Sequence, residues 1–132
     1  MVILADTSAW IEYLRQTGSG VNTAVREHIE AGQVATTDAV IFEVMAGARR
    51  ERVKDHRRLL DACEYLPQRT RDDALRAAEL YRTCRQQGVT IRSLNDCTIA
   101  AVAIRCHVPL LNANVDFLRL ASVTDLELVP SS

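Results

Sequence analysis

An α/β fold with a mostly parallel central sheet is what this sequence predicts, and two observations predict it. Short apolar runs suited to buried strands alternate with segments of helical spacing. The first run, residues 2–5, is continuously apolar instead of alternating, as a strand covered on both faces requires.

The elements follow in chain order. The VILA run ends at Asp6, and Trp10, Ile11, Tyr13 and Leu14 then give an amphipathic helix with a stop near Gly18 and Gly20. Residues 21–31 read as a second helix closed by Gly32, and residues 33–37 as a second strand, with Thr37 or Asp38 as cap of the next helix. That helix, residues 39–48, is apolar or small at every position except Glu43. A basic helix runs from about 49 to 65, and residues 66–68 form a brief strand. Residues 72–87 read as a long helix with Ala74, Leu75, Ala78 and Tyr81 inward and Gly88 as its stop. Ser93 opens another helix that runs through His107. Residues 109–111 form a strand, 117–121 one or two helical turns, and 126–129 a last strand. No repeat, linker or low-complexity segment interrupts the order.

At 132 residues and 48% hydrophobic, the chain suits one compact domain spanning residues 1–132. Charges break every apolar stretch well before the roughly 18 residues of a membrane span, and MVILADTSAW lacks the basic flank and cleavage site of a secretory signal. Cys63, Cys84, Cys97 and Cys106 show no paired spacing, so they read as buried thiols of a reducing cytoplasm. A net charge of −1 neither suggests nor excludes a polyanionic partner. The basic residues, however, crowd together: Arg49, Arg50, Arg52, Lys54, Arg57 and Arg58 fall in one short segment. With Glu51 and Asp55 interleaved, that run is either a solvated helix face or a patch for phosphate or a partner protein.

In an open parallel sheet, ligands bind beyond the carboxyl ends of the strands. Four carboxylates fall there: Asp6 after the first strand, Glu43 early in the helix after the second, Asp96 in the first turn after Ser93, and Asp116 after the strand at 109–111. Asp96 shares a helix face with Ile99, Ala100 and Ala103, and Glu43 is the lone charge of an apolar helix. Carboxylates removed from water need a cation or donors, or they take up a proton. A hard divalent cation with oxygen ligands answers that need, and the lack of nearby Cys or His argues against zinc. Each acid also has a plainer use. Asp6 fits an N-cap, Ser93 and Asp96 a capping box, Glu43 a pair with a buried arginine, and Asp116 an ordinary loop acid.

These residues, in this order, resemble the PIN-domain nucleases and, more narrowly, the VapC-type toxins of bacterial toxin–antitoxin pairs. The resemblance lies in LADTSAWIEYL at 4–14, IFEVMAGA at 41–48, LNDCTIAAVAIRCHVPLL at 94–111 and NVDFLRLA at 114–121. It implies a three-layer α/β/α sandwich, Mg²⁺-dependent endoribonuclease activity with Mn²⁺ able to substitute, a homodimer, and inhibition by a cognate antitoxin. Residue by residue, it makes Asp6 and Asp96 the principal metal-binding aspartates, Glu43 the family's glutamate, and Asp116 the later acid of a D-x-D before Phe. Asn114 stands where the earlier acid of that D-x-D is usual. Ser8 and Asn114 then become supporting groups around the acids, and Arg49, Arg50 and Arg52 become contacts for RNA or antitoxin. Two other readings compete: a catalytically weak interaction module on the same fold, and a receiver-like domain, for which the lysine expected after a late strand is missing.

Overall fold

A computed structural model describes residues 1–130 and carries four parallel strands in one sheet. Strand β1 is Ile3–Ala5, β2 Val34–Thr36, β3 Glu64–Tyr65 and β4 Leu110–Leu111, and their order across the sheet is β3-β2-β1-β4. The central strand β1 has no exposed residue, as its unbroken apolar run foretold. Its register is Ile3 opposite Val34 and Leu4 opposite Ala35 on one side, Leu4 opposite Leu110 and Ala5 opposite Leu111 on the other. The last expected strand is reduced to a parallel bridge between Leu110 and Leu128, held by Leu110 N–H to Glu127 O and Val129 N–H to Leu110 O, both 2.9 Å.

Seven α-helices flank the sheet in the described residues: α1 Thr7–Leu14, α2 Gly20–Glu30, α3 Asp38–Ala46, α4 Val53–Asp61, α5 Thr70–Gln86, α6 Leu94–Cys106 and α7 Val115–Val123. They give the α/β/α sandwich, with α1 packed on α2, and α5 on α6 and α7, while α3 touches both α1 and α6. Trp10, Phe117, Leu80, Ile99, Leu110 and Leu120 are the bulk of the fully buried core. The helix most completely buried is α6, seven of whose residues are inside.

Several boundaries differ from the sequence reading, each for a local reason. Helix α1 ends at Leu14, before either glycine, because Gln16 itself turns the chain with φ 51°. Gly20 then begins α2, with the Ser19 hydroxyl accepting from Asn22 N–H at 3.0 Å as its cap. Thr37 is the N-cap position of α3 but makes no side-chain cap bond; Asp38 turns to Tyr65 Oη and Gln68 N–H at 2.6 and 2.7 Å. The basic segment is a 3₁₀ turn at Arg50–Arg52 followed by α4, not one helix to residue 65. The edge strand comes at Glu64–Tyr65, ahead of 66–68, and both of its residues are exposed, so it carries no apolar signal. On α5 the inward stripe is Asp73, Ala77, Leu80 and Cys84, whereas Ala74, Leu75 and Ala78 face out. A buried aspartate misdirected the expected face. Asp73 lies inside because Arg105 of α6 meets it with Nε and Nη2 at 2.9 Å each. Burial alone would raise the Asp73 pKa, but the hydrogen bonds of Arg105 and of the Arg69 N–H, with both charges, hold it below the usual value. All four cysteines are free thiols, and no helix of the described residues is long and apolar enough to cross a membrane.

Candidate active site

Asp6 leaves β1 with extended backbone, so its side chain can turn back and cap α1, accepting from Ala9 N–H at 3.0 Å. The plain capping use is therefore real. It does not exhaust the residue, because the Ser8 hydroxyl also donates to both Asp6 oxygens, at 2.8 and 2.9 Å. Ser8 Oγ in turn accepts the Ala113 N–H at 2.8 Å, which ties the loop after β4 to the end of β1. Asp6 is 2% exposed. Burial, opposed by the bonds from Ala9 and Ser8 and aided by the Glu43 charge, raises its pKa to about 6.

Asp96 lies in the first turn of α6 and is also buried. The expected capping box with Ser93 does not form: Ser93 N–H goes to Asp116 Oδ2 at 3.2 Å, and Asp96 Oδ2 accepts from Asn114 Nδ2 at 3.1 Å. Burial, a hydrogen bond shared with Asp116, and the charges of Asp116, Asp6 and Glu43 together raise its pKa to about 7. The four carboxylates expected from the sequence thus share one electrostatic neighbourhood. Glu43, half-buried on α3, pairs with no arginine among the described residues; Oε1 accepts instead from Asn95 Nδ2 at 2.6 Å and Thr7 Oγ1 at 2.9 Å.

Asp116 is the most encumbered of the four. Its Oδ2 accepts the N–H groups of Arg92 and Ser93 at 3.0 and 3.2 Å, and its Oδ1 faces Arg92 Nε at 3.4 Å and Arg119 Nη1 at 3.7 Å. Asn114 caps α7 with Oδ1, which accepts Asp116 N–H at 2.9 Å. Thr7 and Asn95 had a usable signal, since each adjoins a site aspartate in the sequence. Arg119 had one too, as the i+3 neighbour of Asp116 on α7, whereas Arg92 had none, because only folding brings residue 92 to residue 116.

The donors are carboxylate oxygens, and two of the buried ones, Asp6 and Asp96, are costly to ionise without a cation nearby. That chemistry fits a hard divalent ion. The fit is partial in one respect: among the described residues no three His, Cys, Asp or Glu side chains are already drawn into a cage. Mg²⁺ tolerates this, because it usually keeps several waters and takes only one or two carboxylates.

Beside the site, a cavity of about 460 Å³ runs from Thr7 and Glu43 over Ile11, Leu14 and Val44 to Arg15, Arg49, Arg52 and His56. Two of the three arginines singled out in the sequence, Arg49 and Arg52, therefore line a groove that opens on Glu43. Arg50 does not line it. Arg52 also pairs with Asp55 at 3.6 Å, and Arg57 with Asp61 at 3.5 Å, so part of the basic run is a solvated face.

Fold and site define an α/β/α protein with an acidic pocket at the carboxyl edge of a parallel sheet. Residues 3–123 match the model of the PIN domain family. The chain is 39% identical over 131 residues to "VapC ribonuclease Mb1587" of Mycobacterium bovis, covering 96% of each. It also superposes with a TM-score of 0.73 at 18% identity on VapBC2 from Rickettsia felis, bound there to a promoter DNA fragment, over 98% of each chain. A toxin–antitoxin complex from Klebsiella pneumoniae gives 0.70 at 25% identity, over 96% of this chain and 99% of that one. The chain belongs to the PIN domain family, within its VapC ribonuclease branch.

Proposed function

We propose that this chain is a divalent-metal-dependent endoribonuclease acting as the toxin of a toxin–antitoxin pair. The observation that carries the reading is the pair Asp6 and Asp96, two buried carboxylates far apart in sequence that the fold brings to one sheet edge, where Glu43 and Asp116 stand close enough to act on their charge. The ribonuclease name of the Mycobacterium bovis relative supports it, and the Klebsiella pneumoniae complex supports an antitoxin partner. Self-association belongs to the same reading, with Phe42 and Leu94 leaving large apolar surface uncovered.

Asp6 and Asp96 would hold the ion. When bound, a divalent ion neutralises phosphate charge and makes water a competent nucleophile at neutral pH. The chain's own residues do the rest. Ser8 and the Ala9 N–H fix the Asp6 carboxylate, so its orientation costs nothing at the moment of reaction. Thr7 and Asn95 both load Glu43 Oε1, which leaves Oε2 to accept a proton from the attacking water as the phosphorus–oxygen bond to the leaving group breaks. The groove with Arg49 and Arg52 offers a charged path for the RNA strand away from Glu43.

The test is cleavage of a structured RNA by purified protein. Asp6→Asn and Asp96→Asn should each lower the rate by about a hundredfold or more, the worth of several kcal/mol of charge stabilisation. Excess EDTA should stop the wild type. Cleavage that persists in EDTA at the wild-type rate, with the Asp96→Asn preparation as the contamination control, rules the reading out; no cleavage under any metal condition favours a non-catalytic interaction module.

A further inference from the structure

Taking the acidic pocket as a divalent-metal site, as proposed above, we infer that Arg92 is the resident cation of its Asp116 side, so that the protein holds one divalent ion, between Asp6 and Asp96, and not two. On the Asp116 side both carboxylate oxygens already face donors of this chain, and two of those donors are cationic. Asp116 Oδ2 takes two backbone N–H groups, and Oδ1 faces the guanidiniums of Arg92 and Arg119.

Asn114 completes the exclusion. Its amide orientation follows from the α7 cap, because only an oxygen can accept the Asp116 N–H at 2.9 Å. Arg92 Nη2 lies 3.4 Å from that same oxygen. The other end of the amide is then an NH₂ group, and it points at Asp96 Oδ2, 3.1 Å away. A hard cation needs lone pairs, and here it would meet an N–H donor and a guanidinium. The Asp6 side differs in charge: its oxygens accept from the neutral Ser8 hydroxyl and Ala9 N–H, and no guanidinium pairs with it among the described residues. Arg92 is itself 64% exposed along its side chain, so its outer face stays free to meet a phosphate oxygen where a second ion would otherwise do so.

Mn²⁺ titration followed by the electron paramagnetic resonance of the free ion, without RNA, tests this directly. Wild type should take up one ion per chain, and Asp6→Asn and Asp96→Asn should each weaken that uptake at least tenfold. Asn114→Asp alone should still bind one, because Arg92 pairs with the new carboxylate. The double variant Asn114→Asp/Arg92→Gln should bind two, and Asn114→Asp/Arg92→Lys, which restores the charge, should return to one. Two ions in wild type, two in Asn114→Asp, or one in the double variant overturns the inference. If the double variant does not fold, wild type and Asn114→Asp still decide it. No saturable uptake by wild type, or uptake unchanged in Asp6→Asn and Asp96→Asn, instead overturns the metal-site reading on which it rests.

Discussion

Asp6 and Asp96 keep their protons to a pH at which an exposed aspartate has long lost its own. Both folded-state values lie above the ordinary 3.8, so the folded chain binds these protons more tightly than the unfolded one. Their contribution to stability is fully present below about pH 3.8 and is lost as pH rises through about 6 and about 7. Thermal melts in chelator should therefore show the wild type less stable at pH 8 than at pH 5.5. Asp96→Asn keeps the shape without the charge, and at pH 8 in chelator it should melt about 4 °C higher for each kcal/mol relieved. The gap should narrow at pH 5.5 and when Mg²⁺ is added to the wild type. A wild-type melting temperature that stays flat from pH 5.5 to 8 would show that these acids ionise freely. The aspartates were legible because each stands at a fixed offset from an apolar run. Arg92 was not, since its partners, Asp116 and Asn114, lie 24 and 22 residues away and only the turn of the chain after α6 and β4 brings them in.

Helices were read well where their apolar stripe was unbroken and poorly where a charge lay inside it. Helix α6 is buried along most of its length and was placed almost to the residue. Helix α5 was found, but its face was misassigned because Asp73 occupies an inward position that composition reserves for apolar residues. The pairing that puts it there should be strongly felt. Arg105 joins α6 to Asp73 and also donates to Pro67 O at 2.8 Å, so one guanidinium pins the segment before α5 to the helix that carries Asp96. Arg105→Met leaves a buried carboxylate unpaired and should cost about 2–4 kcal/mol in urea unfolding, somewhat below a fully buried pair because Arg105 is partly exposed. Asp73→Leu/Arg105→Met should recover most of that loss. If Arg105→Met costs under roughly 1 kcal/mol, the pair behaves as a surface bridge.

At the scale of the whole molecule, the fold class, the parallel sheet and the side on which the acids gather followed from the order of elements, because connections in such sheets leave few topologies open. The short edge strand β3 and the reduced last strand were misplaced, since neither carries an apolar alternation of its own. The basic segment remained ambiguous in sequence and is divided in the structure. Arg52 and Arg57 pair locally, while Arg49 and Arg52 border the groove that reaches Glu43. Reversing Arg49, Arg50 and Arg52 to Glu should weaken binding of a labelled single-stranded RNA, measured in chelator, by about tenfold, with a shallower salt dependence. Identical affinity and slope would make the segment a solvated face only.

The order β3-β2-β1-β4 puts the first strand made next to the last one, and Ser8 is joined to Ala113 across 105 positions of sequence. A nascent chain that stops before β4 therefore lacks both the strand that flanks β1 on this side and Asp116, and so holds no complete acidic cluster. For an enzyme that would cut RNA, this is a built-in delay. Fragments that stop short of β4 should leave RNA intact, whatever the first strand and its aspartate do alone.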